Sequence, residues 1–239
     1  MSLLVALVVL CGSWELLARL VEVSFFPPFS LCLLSCDLPT YLALLGHVAV
    51  SLGRIGIGLG IGGILGTSFG LYIGQHPRAD RVAAPFLFLT YPFPKVVLIP
   101  LLLFAFGPGE ISKLALLAIF SFYQLAVTGR DAAKSVPASY LLSFRTLGGG
   151  QLALYRHVIL PACMPQLLSG LRISLGTCLA LLFFTETYAT SQGIGFAIWD
   201  AFSFFNYPQV YLASCLLCGC GWSLYAAIAA LERRLLAWM

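Results

Sequence analysis

Long apolar blocks alternate along this chain with short polar or proline-rich breaks. A helix that crosses a bilayer needs about 20 largely apolar residues. Six blocks meet that length: Ser2 to Leu20, a stretch within Tyr41 to Ile73, Val82 to Phe106, Ile111 to Val127, Leu167 to Tyr188, and Val210 to Leu231. The pattern predicts an all-α integral membrane protein of about six transmembrane helices. The second block exceeds what a bilayer requires, so part of it is expected at the interface or tilted. Residues 1–40 should hold the first helix and an outer loop rich in Pro and Cys, residues 41–232 the membrane domain, and residues 233–239 a short tail.

Two breaks in the apolar pattern carry information. Gly58, Gly62, Gly66, Gly70 and Gly74 recur every four residues, along one ridge of a helix. In a membrane such a stripe admits a neighbouring backbone, within the subunit or between subunits. In the third block, Pro85, Pro92, Pro94 and Pro100 each remove a backbone donor. Non-helical backbone at membrane depth is tolerated only where protein buries it or water reaches it, and broken helices often line substrate paths.

The least apolar stretch is Gly129 to Pro161. Leu141, Leu142, Phe144 and Leu147 form one short apolar face, and Leu152, Leu154, Tyr155 and Val158 another, with Gly148-Gly149-Gly150 between them. This predicts two short amphipathic helices on the membrane surface, suited to a groove of a partner. Pro161 and Pro165 are expected to mark the entry to the fifth span.

Composition agrees with the pattern. Of 239 residues, 60% are hydrophobic and 9% charged, against roughly 25% charged in soluble domains, which excludes a water-soluble fold. The net charge of +4 comes from dispersed basic residues that report topology rather than nucleic-acid binding. With both termini cytoplasmic, Arg78, Arg81, Arg130, Lys134, Arg145, Arg156, Arg233 and Arg234 fall inside, and only Arg19 and Lys113 outside. The opposite orientation would reverse this positive-inside bias. The first block lacks the basic start of a signal peptide, and Glu15 and Arg19 interrupt it as a helical ion pair. The eight cysteines lie mostly in apolar runs, where they act as small packing residues. Cys215, Cys218 and Cys220 have no nearby His or carboxylate, and their spacing does not converge on one helix face, so no metal is expected.

The polar stretch carries a family resemblance. Arg145-Thr-Leu-Gly-Gly-Gly150 followed by Tyr155-Arg-His-Val-Ile-Leu-Pro161 resembles the cytoplasmic loop of binding-protein-dependent ABC importer permeases. That loop reads Glu-Ala-Ala, three residues, Gly, nine residues, an aliphatic residue, one more, then Leu-Pro. Pro161, Leu160, Val158 and Gly148 occupy its slots, but Leu142, Ser143 and Phe144 stand where the family has Glu-Ala-Ala. Pro165, Gly170, Leu171 and Arg172 fit downstream, as does Glu186 followed by Gly193-Ile194-Gly195, and Ser51, Arg54 and Gly58 fit upstream. Pro92-Phe-Pro-Lys-Val-Val-Leu-Ile-Pro-Leu101 and Phe106-Gly107 look like the nitrate, sulfonate and taurine branch. The resemblance runs from about Tyr41 to Trp238.

It implies a type I ABC permease fold whose loop, with Leu142, Ser143, Phe144, Arg145, Leu147, Gly148, Gly149, Val158, Leu160 and Pro161, docks on a cytoplasmic ATPase and transmits its closure. The missing glutamate implies either an altered ATPase surface or a degenerate transporter, and the kept Gly148 and Leu160-Pro161 favour the former. The chain has no phosphate-binding Gly-rich loop, so ATP-Mg is expected on the partner ATPase and no cofactor on this chain. Further expected partners are an external solute-binding protein, a second permease copy and membrane lipid, in a bacterial-type inner membrane. Arg54, Lys95 and Glu186 are charges at membrane depth. Such residues either line a water-filled path, pair across helices or snorkel to an interface. His47, His76 and His157 read as isolated interface or loop residues. Two rivals differ in class. An ion-driven transporter would need no ATPase. A membrane-embedded enzyme would need a reactive cluster, and Thr185, Glu186 and Thr187 hold no His or Asp.

Overall fold

The computed structural model describes residues 3–188 and 190–237, and every regular element among them is helical. Ser2 of the first apolar block, and Trp238 and Met239 of the tail, lie outside the described residues. The helices are α1 (Leu3–Val21), α2 (Phe29–Leu34), α3 (Leu38–Gln75), α4 (Pro77–Thr90), α5 (Leu98–Phe106), α6 (Glu110–Ser135), α7 (Ala138–Thr146), α8 (Gln151–Leu154), α9 (Leu160–Glu186), α10 (Ile194–Ser203) and α11 (Tyr207–Leu235). A 3-10 turn, Lys95–Val97, leads into α5, and a π turn, Tyr155–Ile159, joins α8 to α9.

Four of these runs are long and apolar enough to cross a membrane: α3, α6, α8 to α9, and α11. A fifth is the pair α4 and α5, bent by 78° at the proline-rich break. α1, with 19 residues and Glu15 and Arg19 as its only charges, has the length of a sixth. The chain is thus an all-α, multi-pass integral membrane protein.

Its contacts divide into two units, one from the described residues up to Leu52 with those in Phe183–Cys220, the other from Gly53–Leu182 with those from Gly221 on. In the first, Glu15 binds Arg19 at 2.7 Å and accepts the Ser30 backbone N–H at 3.0 Å and hydroxyl at 2.8 Å, which folds the outer segment back on α1. Leu44, Ile194, Ala197, Ile198, Leu212 and Ala213 form its buried core. The segment Ser191 to Pro208, which falls between the fifth and sixth apolar blocks and so reads as a loop, contains α10. The reason is legible afterwards: Ile194, Ala197, Ile198 and Ala201 are spaced i, i+3, i+4, i+7 and all four are buried.

In the second unit the glycine ridge of α3 lies on α6. A Cβ at Gly62, Gly66, Gly70 or Gly74 would stand 2.2–2.6 Å from the carbonyl oxygens of Ala118, Phe122, Ala126 and Arg130, and one at Gly58 would stand 2.5 Å from the Leu117 Cβ. These distances admit hydrogen and no carbon, so only glycine lets the two backbones meet. Ile55, Leu116, Leu117, Leu175, Cys178 and Leu182 are packed beside this seam.

The fifth span differs from expectation. It does not begin near Leu167 after its prolines; one helical run of 36 residues extends from Gln151 to Glu186. A proline removes a donor and crowds the carbonyl four residues back. For Pro161 that carbonyl belongs to His157, inside the π turn. The turn widens the helix just ahead of it, with the Leu160 N–H bonding the Tyr155 carbonyl five residues back, and the helix runs on through Pro161 into α9. The second amphipathic segment is therefore the first turns of a span, not a separate surface helix.

The seam predicts a contrast between glycines of one helix. Gly66→Ala should destabilise the protein by about 1–3 kcal/mol through overpacking. Gly60→Ala, with nothing within 4 Å of its added carbon, should be neutral or slightly stabilising. Thermal denaturation of the purified proteins in one detergent checks this; equal midpoints would refute the seam.

Candidate functional site

The site begins where α6 ends. Val136 is extended, and Pro137 presets the backbone that starts α7. Nine residues later α7 closes in a Schellman motif: Gly148 N–H donates to Arg145 C=O at 3.0 Å and Gly149 N–H to Phe144 C=O at 3.3 Å. Gly148 has φ +78°, left-handed backbone that only glycine adopts without strain. The Phe144 ring then lies over Gly149 so closely that a Cβ there would be 2.0 Å from it. Thus two glycines have separate reasons: one turns the chain, the other receives the ring.

The module has an anchored face and a bare one. Leu141, Phe144, Tyr155, Val158 and Leu160 pack against a buried cluster that includes Ala132, Ala133, Leu154 and Ile159. Outward, Leu142 is 62% exposed, Leu147 85% and Leu152 83%, with Ser143 and Arg145 also exposed. Such apolar side chains, held outward on a short rigid helix and its turn, form an anchor for a protein partner. A groove of ≈ 780 Å³ runs beside α7 between Tyr140, Phe144, Leu147, Val158 and Pro161.

Polar contacts tie together the ends of α3, α4 and α6 on which this module is anchored, and one of them reaches the module itself. Gln75 Nε2 donates to Ala133 C=O at 2.5 Å, joining the ends of α3 and α6. Asp80 at the start of α4 pairs with Arg130 at 2.5 Å and with Lys134. The Tyr155 hydroxyl stands 3.5 Å from His76 Nδ1 at the α3–α4 junction. Sequence reading did not find these pairs, because partners such as Asp80 and Arg130 are 50 residues apart and share no periodicity.

The three charges at membrane depth are placed differently. Arg54 is 3% exposed and grips the carboxylate of Glu110 through Nε at 2.7 Å and Nη2 at 2.5 Å. Lys113, also 3% exposed, lies 3.9 Å from the same carboxylate. Glu186 is fully buried; its oxygens accept the Ser51 hydroxyl at 2.8 and 2.9 Å and the Gly195 N–H at 2.9 Å. Ser51 Oγ in turn accepts the Ile194 N–H at 2.8 Å. Glu186 and Ser51 therefore cap the N-terminus of α10, where backbone N–H groups favour an anion. Gly195 is needed because a Cβ there would stand 2.9 Å from that of Glu186. Lys95 borders an open cavity.

Comparison with known proteins agrees with this arrangement. Residues 59–237 match the family model described as binding-protein-dependent transport system inner membrane component. The taurine transport system permease protein TauC of Escherichia coli K12 is 31% identical over 80% of this chain and 70% of its own length. The putative aliphatic sulfonates transport permease protein SsuC of Bacillus subtilis 168 is 28% identical over 96% and 84%. The nitrate import permease protein NrtB of Leptolyngbya laminosa is 27% identical over 87% and 78%. A solved chain of the MetNI methionine ABC transporter, inward-facing, shares the fold with a TM-score of 0.70 at 16% identity, covering 84% of this chain and 99% of that one. The chain belongs to the binding-protein-dependent transport system inner membrane components, the permease subunits of ABC importers.

Proposed function

We propose that this permease forms the membrane path of an ATP-driven importer for a small anionic solute delivered by an external binding protein. Two copies would form the path between them, each presenting its α7 module to one cytoplasmic ATPase, with both termini on that side of an inner membrane. ATP-Mg would be held by the ATPases. Solute classes in keeping with the relatives' names are sulfonates, taurine, nitrate and thiamine-precursor pyrimidines.

The observation that carries this reading is the two-faced module: Leu142, Leu147 and Leu152 are bare outside, while Phe144 and Leu141 are anchored inside on the ends of the spans. Closure of the ATPases would drag the bare face. The anchored face and the ion pairs from Asp80 to Arg130 and Lys134 would carry that movement into α3, α4 and α6.

Three outcomes are expected. Gly148→Val places a β-branched residue at φ +78°, at a strain of about 1–3 kcal/mol, and should abolish ATPase association and uptake while leaving the spans folded. Wild-type association, measured by co-purification, would sink the docking assignment. Leu142→Glu restores the family carboxylate on a side chain 62% exposed, and should weaken binding to this chain's own ATPase if that partner offers an apolar cleft. Tighter binding would show that the cleft kept its preference for glutamate. Finally, uptake by cells should stop on ATP depletion and survive collapse of ion gradients; the reverse would favour a gradient-driven transporter.

A further inference from the structure

A second site lies at the bend between α4 and α5, away from the module on α7. Its cavity measures ≈ 330 Å³. Pro92 and Pro94 interrupt the helical bonding there; the Thr90 carbonyl accepts both the Phe93 N–H at 3.2 Å and the Lys95 ammonium at 3.1 Å, and the same ammonium takes the Tyr91 carbonyl. Lys95 Nζ also stands 5.3 Å from the ring centroid of Tyr91 and 5.2 Å from that of Tyr123. An ammonium has three N–H donors, so two carbonyls leave one to offer. Tyr91 O–H donates to Gln124 Oε1 at 2.9 Å, which turns that amide's acceptor away from any ligand and leaves its NH2 as a donor.

The chemistry of the lining is one-sided. It includes one cation and no carboxylate, donors from Lys95 and Gln124, and apolar walls from Phe93, Phe120 and Leu181. A cavity of this size is at the lower end of the range for small-molecule sites. One positive charge suits one negative charge. Nitrate or bicarbonate would fill the polar end and leave the aromatic wall facing water. A neutral pyrimidine would leave the ammonium facing an uncharged ring. An alkanesulfonate fills both ends, its head on the donors and its chain on the wall.

We propose that this cavity is a transit site for a small organic monoanion of the alkanesulfonate type. The proposal rests on the reading of the chain as a solute path, and it narrows the solute class. Broken helices are where transport sites are built, because backbone freed from the helix needs polar partners that a site also supplies. Binding here should be weak, since a conducted solute must leave as readily as it enters.

The test uses the purified full-length permease in lipid nanodiscs, without ATPase or binding protein, and 1-pentanesulfonate as probe, read by saturation-transfer NMR. Wild type should bind it, and pentyltrimethylammonium and nitrate should not compete. Lys95→Gln should weaken binding roughly tenfold or more, the usual worth of a hydrogen bond to a charged group, and Lys95→Arg should retain it. Because Lys95 also closes the end of α4, Gln124→Leu serves as a variant away from that cap and should weaken binding as well. Phe120→Ala should weaken pentanesulfonate more than methanesulfonate. Equal binding by wild type and both polar-end variants, or competition by the cation, would overturn the site. A chain that carries an ATPase yet binds no pentanesulfonate would overturn the anion site alone and leave the permease assignment standing.

Discussion

A backbone placed in hydrocarbon must satisfy its own N–H and C=O groups, and the architecture of this permease follows from that requirement. Where the chain is uninterrupted the helix does so, as in α3 over 38 residues and α6 over 26. Three departures from the helix have named partners. At the bend after α4, Lys95 bonds the carbonyls of Thr90 and Tyr91. At the start of α10, Glu186 and Ser51 take free N–H groups. Before Pro161, a π turn brings the Leu160 N–H to the Tyr155 carbonyl. Two of the charged side chains that looked anomalous in apolar blocks, Lys95 and Glu186, thus serve backbone at a break, while Arg54 pairs with Glu110.

The same economy of space gives the molecule its stiffness. Along the α3–α6 seam, carbonyl oxygens occupy the places of side chains at four glycines in succession. Sliding one helix past the other by a residue would bring non-glycine carbons onto those oxygens, so the pair is suited to move as one body. The ring of Phe144 and the cluster of Ala132, Ala133 and Ile159 fasten the α7 module to the end of that body, and Asp80 adds α4. The break at residues 91–94 interrupts this continuity. In the proposed mechanism, displacement applied at α7 reaches the bend through stiff helices, and the bend is where backbone can change conformation.

Class and spans were legible in the sequence because hydropathy acts over 20 residues at a time and survives local irregularity. The glycine ridge was legible as a close contact, but its partner was not: periodicity marks a face and says nothing of what meets it. The reach of α9 was misjudged because prolines were taken as stops, whereas the helical run continues from the π turn through Pro161 and Pro165. α10 was missed although Ile194, Ala197, Ile198 and Ala201 carry a helical pattern, because Gly193-Ile194-Gly195 read as part of a loop. In the candidate site, Gly148 and the Leu-Pro pair stood out by spacing. The ties of Asp80 to Arg130 and Arg54 to Glu110 did not, since long-range ion pairs leave no trace in a single sequence.

The missing glutamate can now be placed physically. Its slot is Leu142, on the bare face of α7, with no contact to the anchored cluster. A carboxylate there would not hold the module together, so its loss leaves the fold of the loop intact. What changes is the surface a partner meets. Leu142 joins Leu147 and Leu152 as a third outward aliphatic side chain, while Arg145 remains as the nearby charge. Burying a leucine side chain contributes about 1.5–3 kcal/mol, enough to replace a surface ion pair of about 0–1 kcal/mol. That exchange gains only against an apolar cleft; against one built for a carboxylate, the partner's cation would be desolvated and unpaired. On the proposed reading, the substitution argues for an ATPase altered to match, and would make this loop a determinant of which ATPase the permease accepts.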